Sequence, residues 1–542
     1  MSGAEVERFR LRRFIGELER AGELETVSEP LDLIDVAARL DGNPKAVIFR
    51  NLRSCELDVV GNVMSSRERI ALAFGVTAGG LLAEVARRVQ TPIAPAVIAS
   101  ADAPVHEVVW TGADADLMRL PVPLQHGDDG SLYISAGIDI SRSFDGARRN
   151  VGYRRLMLRG PHEAGIDLVA PSDLHNLYAE YVEHETRMPI AFAVGSHPAD
   201  SIAAVGTWPA ADELALAGAL RGAAVPLVRC VTIDAEVPAD AEIVLEGYLD
   251  ERGWSELEGP YGEFYGYYGP AKYNPVFHLT AITMRHDALF QTLAIGGRHM
   301  ATTDTAQLNA IRTEAAVWTA LQSAVREPVA VYAPPVCGGV SHLRIALRQR
   351  VPGEARNAIA AAFGSNAEVK HVFVVDPDID IFSDEQMEWA LATRFQADRD
   401  LVVGSHLRAV PLDPSLRGSK TGAKAGFDLT IPMEPAAAAH FAVPGPPQLR
   451  AVPHQPVPVA LADGPRTFRE LVEIAGTRDG RDVVRALDDL RRSARLERLA
   501  DGRYALKDGA AAGDTDQRGG NRGDESGHGD HREHARLAPT QR

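Results

Sequence analysis

Cysteine is scarce in this sequence, and long apolar runs are missing from it. Its 542 residues include only Cys55, Cys230 and Cys337, which lie far apart and form no CxxC pair. A zinc ribbon and a disulfide framework are therefore excluded, and we expect reduced thiols in the cytoplasm. No segment approaches the run of about 18 apolar residues that a membrane-spanning helix needs, and the N-terminus has no apolar signal core. We therefore expect no membrane attachment.

The chain also lacks an excess of basic residues, since its formal net charge is −17. Nonspecific binding to a nucleic acid duplex is disfavoured at that charge. The chain is 45% hydrophobic and 24% charged, which allows large cores. Its length predicts roughly three domains.

Several familiar catalytic motifs are absent as well. The sequence has no dinucleotide-binding fingerprint, GxSxG, HExxH or P-loop. Asp376, Asp378 and Asp380 alternate like the opening of a calcium loop. Ile381 and Met387 then occupy the positions where such a loop needs glycine and glutamate, so calcium is excluded. The chemistry of this chain must depend on another constellation.

Hydrophobic periodicity predicts an α+β chain whose central part is β-rich and barrel-like. The predicted segments are an N-terminal α/β domain (1–105), a split β-barrel domain (106–302), a connector helix (303–325), a C-terminal α/β domain (326–442), a Pro-rich linker (443–464), a winged-helix-like module (465–508) and a disordered tail (509–542). For the winged-helix-like module, DNA binding and a packing or dimer role are both open. The acidic charge of the chain favours the second.

The most informative segment is Glu-Gly-Pro-Tyr-Gly-Glu, which runs from Glu258 to Glu263 and is followed by aromatic residues. Two acids five positions apart would point to different faces of a regular helix or strand, but the intervening Gly and Pro residues disfavour regular structure. A bent strand or loop could aim both carboxylates into one pocket. Burial and like charge would then raise their pKa values and provide a proton donor near neutral pH. An acidic surface turn is the alternative.

Three further segments of the β-rich block carry polar side chains. Asn150-Val-Gly-Tyr-Arg-Arg155 places an amide and a cation at the start of a predicted strand. His175 lies on the next predicted helix, and Glu213 lies at a helix start, where a carboxylate interacts favourably with the helix dipole. Taken singly, each has an ordinary structural explanation.

Taken in order, these segments resemble the UbiD-type decarboxylases, which use prenylated flavin mononucleotide (FMN). The resemblance covers roughly residues 8–440. It rests on Leu11-Arg-Arg-Phe-Ile-Gly-Glu-Leu, Val60-Gly-Asn-Val, Ser66-Arg-Glu-Arg-Ile, the spacing from Asn150 to Arg155, Glu213 five residues before Gly218, the run from Glu258 to Glu263, Lys370-His-Val-Phe-Val-Val-Asp and Trp389-Ala-Leu-Ala-Thr-Arg.

The resemblance implies a catalytic network of Arg155, Glu258 and Glu263 facing the modified ring of the flavin. Glu263 would donate a proton to the carbon that has lost CO2. Glu258 and Arg155 would tune Glu263 and orient the substrate carboxylate, and Arg155 would also contact the cofactor.

The resemblance also implies a site for the flavin phosphate. Asn150, His175 and Glu213 would bind a Mn²⁺- or Mg²⁺-type ion that holds this phosphate, with Asp173 as the alternative to His175. Two oxygen ligands and one imidazole suit such a hard ion. Lys370 would assist at the phosphate, and a K⁺-type ion would lie nearby on backbone carbonyls.

We therefore predict a carboxy-lyase: a reversible, non-oxidative decarboxylase of an aromatic, heteroaromatic or α,β-unsaturated acid. Side chains cannot stabilise the electrons left on an sp² carbon, so a cofactor must act as the electron sink. The expected partners are the small acid, a flavin prenyltransferase that supplies the cofactor, and a second copy of the chain that pairs through the C-terminal α/β domain. An FMN-dependent oxidoreductase is one alternative, although no nicotinamide fingerprint is seen. A non-catalytic binding or regulatory protein is the other, and the intact set of Arg155, Glu258 and Glu263 argues against it.

Overall fold

A computed structural model of the chain describes residues 8–53, 55–169, 171–206, 212–366, 368–434 and 440–507. The chain forms two units, Met1–Phe441 and Ala442–Arg542. The tail at 509–542, predicted to be disordered, lies outside the described residues. No single helix in the described ranges has the length and hydropathy needed to cross a membrane, although the bent pair Arg67–Phe74 and Ala78–Arg88 reaches them jointly.

The N-terminal domain packs four helices around three strands. The helices are α1 (Leu11–Arg20), α2 (Val36–Leu40), α3 (Arg67–Phe74) and α4 (Leu81–Arg88), and the strands are β1 (Leu24–Val27), β2 (Ala46–Phe49) and β3 (Asp58–Gly61). In α1, apolar residues recur at helical spacing, so Leu11, Phe14 and Leu18 are buried together. α3 ends at Gly75, whose φ of 68° suits glycine. The chain between Arg67 and Arg88 therefore forms two helices.

The central domain contains most of the strands. They are β4 (Ala96–Val97), β5 (Val108–Thr111), β6 (Tyr133–Arg142), β7 (Arg149–Leu158), β8 (Glu163–Ile166), β9 (Met188–Val194), β10 (Pro226–Arg229), β11 (Glu236–Pro238), β12 (Ile243–Leu249), β13 (Glu256–Glu258), β14 (Tyr261–Gly262), β15 (Tyr268–Gly269), β16 (Lys272–Asn274), β17 (Val276–Met284) and β18 (Leu289–Gln291). The helices are α5 (Asp173–Glu183), α6 (Pro198–Val205) and α7 (Glu213–Arg221).

Six of these strands close into a barrel in the order β12-β9-β6-β7-β8-β17, because β12 also pairs with β17. β18 follows the barrel and pairs in parallel with β3, which joins the central domain to the N-terminal sheet. This closed barrel, together with the surrounding helices and sheets, confirms the predicted α+β fold class.

A nested hairpin between β12 and β17 carries the two predicted glutamates. β13 pairs with β16, and the shorter pair β14–β15 lies inside it. Glu258 is the last residue of β13, and Glu263 follows β14 directly. Gly259 has a φ of 99°, a value that favours glycine, so the chain can turn between the two acids.

The C-terminal domain follows the long connector helix α8 (Asp304–Ala324). Its strands are β19 (Pro328–Tyr332), β20 (His342–Leu347), β21 (His371–Val375), β22 (Leu401–Arg408) and β23 (Thr421–Asp428), and its helices are α9 (Glu354–Ser365) and α10 (Asp384–Arg394). The sheet order is β19-β20-β21-β23-β22, which places β22 at one edge.

A buried ion pair joins α3 to the connector helix. Two guanidinium nitrogens of Arg67 each donate to one carboxylate oxygen of Glu314 at 2.9 Å. Glu314 is fully buried and also accepts the N–H of Ala333 at 3.1 Å. One carboxylate therefore holds the N-terminal domain, α8 and the chain after β19.

The second unit has a small core of its own. Its described elements are α11 (Val457–Ala462), α12 (Phe468–Ala475), α13 (Gly480–Arg492), β24 (Leu496–Arg498) and β25 (Tyr504–Leu506). Thr467 and Glu470 form a reciprocal capping box that fixes the start of α12. Leu471, Val483 and Leu487 are buried between the helices. Residues 468–506 thus form two helices followed by a two-stranded hairpin, and the winged-helix-like character of this module stays a prediction.

Candidate active site

Strand β7 brings Arg155 to both glutamates of the hairpin. Its Nε and Nη2 donate to the two carboxylate oxygens of Glu258 at 2.9 and 3.2 Å, and its Nη1 donates to Oε1 of Glu263 at 2.8 Å. Such a charge-assisted, two-point contact fixes the plane of the guanidinium. The neighbouring Arg154 instead lies 3.8 Å from Asp139. The structure thus brings together the three residues that the sequence grouped as a catalytic network.

Three residues that sequence reasoning missed complete this cluster. Asp167, just after β8, lies 3.1 Å from Nη1 of Arg155 and 2.7 Å from Nζ of Lys272. Asn274 donates to Glu258 at 3.2 Å and to Asp167 at 3.4 Å. We use the name Arg155 cluster for the six residues Arg155, Asp167, Glu258, Glu263, Lys272 and Asn274.

A cross-strand reading of the hairpin could have found Lys272, because it lies directly opposite Glu258 in the β13–β16 register. Asn274 lies two residues further along β16, on the same face as Lys272. Asp167 carries no comparable signal, since its approach to Arg155 depends on the closure of the barrel.

Burial and neighbouring charges together set the pKa values in this cluster. Glu258 is fully buried and Glu263 is only 5% exposed. Burial raises the pKa of Glu263 and the charge of Asp167 adds to this, although Arg155 opposes it. For Asp167, the attraction of Arg155 and Lys272 outweighs the effect of burial and lowers the pKa. Between Glu263 and Asp167, Glu263 is therefore the acid that holds a proton more readily.

The ring of Tyr261 and the loop that carries Gln125 and Asp129 hold the hairpin next to Arg155. The guanidinium carbon of Arg155 lies 4.5 Å from the ring centroid of Tyr261, a cation–π distance. The hydroxyl of Tyr261 donates to Oε1 of Gln125 at 2.5 Å. Asp129 accepts the N–H of Gly262 at 2.9 Å. The backbone immediately before Glu263 is therefore held in place.

Two glycines allow other parts of the chain to approach Glu263 closely. A Cβ at Gly296 would lie 2.3 Å from the carbonyl oxygen of Glu263. A Cβ at Gly269 would lie 2.9 Å from its Oε1. A larger residue at position 296 would therefore displace the backbone that carries the acid.

A second set of buried polar groups lies around the start of β7, against which α5 and α7 pack. Asn150 is buried and donates to Oδ2 of Asp139 at 3.3 Å. Glu213 begins α7, and its Oε2 is buried with no hydrogen-bond partner among the described residues. Burial raises the pKa of Glu213 to about 7, although the N–H of Val151 opposes this. The Glu213 carboxyl therefore lies near the residue that follows Asn150.

The third predicted ligand lies on α5. The ring of His175 lies 4.6 Å from the ring of Trp254, and its buried Nδ1 has no hydrogen-bond partner in the described part of the chain. Asp173, the exposed first residue of α5, adds its charge to the effect of burial on the Glu213 pKa. We use the name Asn150 site for Asn150, Asp173, His175 and Glu213.

The Asn150 site offers the donor types that a hard divalent cation takes. A buried carboxylate oxygen without a partner, an amide and an unpaired imidazole nitrogen fit such an ion. Within the described ranges, no three His, Cys, Asp or Glu side chains already converge as a metal centre. The backbone N–H of Val151, next to Asn150, contacts Glu213. Binding of an ion by Asn150, Glu213 and either His175 or Asp173 stays a prediction.

Lys370 has two protein partners in this structure. Its ammonium donates to Asp413 at 2.7 Å and to Ser415 at 2.8 Å, within the C-terminal domain. A contact between Lys370 and a phosphate stays a prediction.

Comparison with known protein families accounts for most of the first unit. Three models of 3-octaprenyl-4-hydroxybenzoate carboxy-lyase match in order: the N-terminal domain at residues 15–89, the Rift-related domain at 96–299 and the C-terminal domain at 306–429. The chain belongs to the UbiD family. This confirms the resemblance found in the sequence, and with it the prediction of a carboxy-lyase. The second unit lies outside all three matches.

Curated relatives of this UbiD-family chain include decarboxylases. Anhydromevalonate phosphate decarboxylase of Methanosarcina mazei is 31% identical over 424 residues, which cover 77% of this chain and 95% of that protein. Gallate decarboxylase of Lactiplantibacillus plantarum is 35% identical over 400 residues, which cover 69% of this chain and 79% of that protein.

Solved structures of the family are similar across the same region. The UbiD-class enzyme HmfF from Pelotomaculum thermopropionicum, in complex with FMN, aligns with a TM-score of 0.76 at 35% identity and covers 80% of this chain and 97% of its own. An evolved dimeric form of HmfF, in complex with prFMN, aligns with a TM-score of 0.73 at 34% identity and covers 81% and 97%.

Proposed function

We propose that this protein is a non-oxidative decarboxylase of an aromatic, heteroaromatic or α,β-unsaturated carboxylic acid that works with prenylated FMN. The observation that carries the proposal is the buried contact of Arg155 with both Glu258 and Glu263. The named decarboxylases among its relatives, and the FMN and prFMN complexes of HmfF, support the reaction class and the cofactor.

Glu263 is the proton donor in this proposal. Burial raises its pKa, which favours the neutral acid that this step requires. The O–H bond breaks, and the proton joins the electron pair that CO2 leaves on the substrate carbon. The resulting carboxylate then regains a proton from water. Arg155 orients the substrate carboxylate, and Glu258 fixes the plane of Arg155 through its two-point contact.

When bound, prenylated FMN supplies the electron sink that side chains lack. Asn150, Glu213 and either His175 or Asp173 would hold its phosphate through a Mn²⁺- or Mg²⁺-type ion. The unpartnered Oε2 of Glu213 supports this assignment. A K⁺-type ion lies nearby in this proposal, and Lys370 assists only weakly at the phosphate because Asp413 and Ser415 already hold its ammonium.

The test is expression together with a flavin prenyltransferase, followed by assay against a panel of aryl, heteroaryl and acrylic acids. We expect CO2 release from at least one member of the panel and carboxylation of its product at high CO2. Glu263→Gln should keep its flavin absorbance but lose turnover by about a hundredfold or more. Near-normal turnover in that variant would remove Glu263 as the donor.

Glu256→Gln is the matched control. Glu256 lies two residues before Glu258 on β13, is 43% exposed in its side chain and pairs with Arg159 outside the cluster. Its substitution makes the same Glu-to-Gln change in the same nested hairpin, so we expect parental activity.

We also propose that the chain is a cytoplasmic homodimer. The edge strand β22 supports pairing through the C-terminal domain, since its Val403 is 58% exposed and open strand edges favour association. Cys55, Cys230 and Cys337 are free thiols, in keeping with a reducing compartment. Sedimentation of the parental protein and of Val403→Lys would test the interface, and an unchanged dimer in the variant would place it elsewhere.

A further inference from the structure

One nitrogen of Arg155 serves two carboxylates. Its Nη1 lies 2.8 Å from Oε1 of Glu263 and 3.1 Å from Oδ2 of Asp167. When Glu263 becomes a neutral acid, its attraction for the guanidinium weakens. Asp167 is still present as a negative partner on the same nitrogen.

Asp167 is itself fixed from two sides. Lys272 contacts its Oδ1 at 2.7 Å, and Asn274 donates to the same oxygen at 3.4 Å. Asn274 also accepts the N–H of Leu168 at 3.1 Å, which holds the backbone beside Asp167. The carboxylate that faces Arg155 therefore belongs to an ordered network.

The charges of the cluster do not balance when every group is ionised. Arg155 and Lys272 provide two positive charges. The ionised carboxylates of the cluster provide three negative charges. One bound proton restores neutrality, and the low exposure of Arg155, Glu258 and Glu263 favours the neutral total. Without Asp167, the same two cations would be balanced with no proton at all.

We propose that Asp167 is a positioning residue that holds Arg155 in place while Glu263 gains and loses its proton. Lys272 anchors Asp167 and offsets part of its charge. The inference rests on the proposed role of Glu263 and adds two residues through which the reaction is tuned. Neither residue needs to touch the substrate for this role.

Other titratable groups surround Glu263 and stay unchanged in the test below. They are Glu258 on β13, Tyr133 on β6, Tyr261 on β14, and His126 and Asp129 on the loop before β6. Because none of them is altered, a change in the titration of Glu263 reports on the substituted residue.

The test compares Asp167→Asn, Lys272→Gln and the double variant in the cofactor-loaded enzyme. Decarboxylation needs protonated Glu263, so kcat/KM falls as pH rises through the pKa of that acid. Asp167→Asn removes a negative neighbour and should move this alkaline limb down by about one pH unit, whereas Lys272→Gln removes a positive neighbour and should move it up by a similar amount. The double variant should return close to the parental limb.

Asp32→Asn is the control, since Asp32 forms an exposed ion pair with Arg53 at 2.7 Å in the N-terminal domain. It removes the same charge and should leave the limb in place. Shifts of equal sign in the two single variants, or no shift in either, would overturn the proposal, because loss of structure alone predicts no opposite signs. If Asp167→Asn does not fold, Lys272→Gln alone still tests the proposal, because only electrostatic coupling to Glu263 predicts that the alkaline limb of kcat/KM moves to higher pH.

A second readout needs no turnover. Infrared difference spectra of the cofactor-free protein over pH should show a protonated carboxyl band that disappears in Glu263→Gln. The titration midpoint of that band should move in opposite directions in Asp167→Asn and Lys272→Gln. If the parental enzyme decarboxylates none of the acids, the proposed function fails. If the enzyme is active but the midpoints do not separate, only the role of Asp167 fails.

Discussion

The Arg155 cluster and the Asn150 site are both polar and both contain buried side chains, yet they differ in how far the chain alone satisfies their hydrogen-bonding groups. In the Arg155 cluster, every charged side chain has an oppositely charged partner within 3.2 Å. In the Asn150 site, by contrast, Oε2 of Glu213 and Nδ1 of His175 are buried without hydrogen-bond partners among the described residues. Buried polar groups normally find partners, so the first region is organised by the protein and the second has the character of a ligand site.

The largest expected effect that tests this difference comes from Arg155→Met. Its loss leaves three carboxylates together without their shared cation, and breaking a buried pair costs about 3–5 kcal/mol. We expect a matching fall in the free energy of unfolding by denaturant titration, together with loss of turnover. Arg53→Met, which breaks an exposed pair, should cost less than about 1 kcal/mol. Equal costs for the two variants would show that the cluster is not a fixed assembly.

Changes in the Asn150 site should act on ligands and leave the fold intact. Glu213→Gln should lose most bound divalent metal and flavin, as measured by elemental analysis and absorbance, with little change in the unfolding of the metal-free protein. His175→Ala and Asp173→Asn then identify the third ligand, since only the true ligand should lower the metal content. Full metal occupancy in Glu213→Gln would contradict the assignment.

The sequence predicted the parts of this molecule whose signals are local. The connector helix was expected at 303–325 and spans Asp304–Ala324. Helix α6 was missed because it is short and buried on almost all sides, so it has no amphipathic stripe. β22 and β23 were missed as well, and glycines interrupt both.

The candidate site divides in the same way. Glu258 and Glu263 were found because one short run of sequence contains both. Asp167 was not found because it reaches Arg155 only after the barrel closes. Lys272 was not found because it comes to Glu258 and Asp167 only when β16 pairs with β13. Residues whose role depends on contacts formed in the tertiary structure have no recognisable pattern in a single sequence.

A smaller effect is expected from Gly296→Ala, which tests how tightly the Arg155 cluster is packed. The new methyl group would meet the carbonyl oxygen of Glu263, and overpacking of this kind costs about 1–3 kcal/mol. We expect lower stability and turnover with flavin binding retained. Gly16→Ala is the control, since nothing lies within 4 Å of its Cβ position. Parental turnover in Gly296→Ala would show that this loop adapts freely.

The smallest effect is expected from Lys370→Gln. Its ammonium is already paired with Asp413 and is 29% exposed in its side chain, and such pairs contribute about 0–1 kcal/mol. Flavin retention should therefore change little when measured by absorbance after gel filtration. A large loss of flavin would show that Lys370 leaves Asp413 for the phosphate and would extend the Asn150 site into the C-terminal domain.

The carboxylate of Glu314 limits how this chain can be recombined with its relatives. A chimaera whose first domain comes from a relative without an arginine at position 67 would leave the buried carboxylate of Glu314, on the connector helix, without its cationic partner. The two positions should therefore be exchanged together, and a hybrid carrying only one of them should be recovered mainly as insoluble protein.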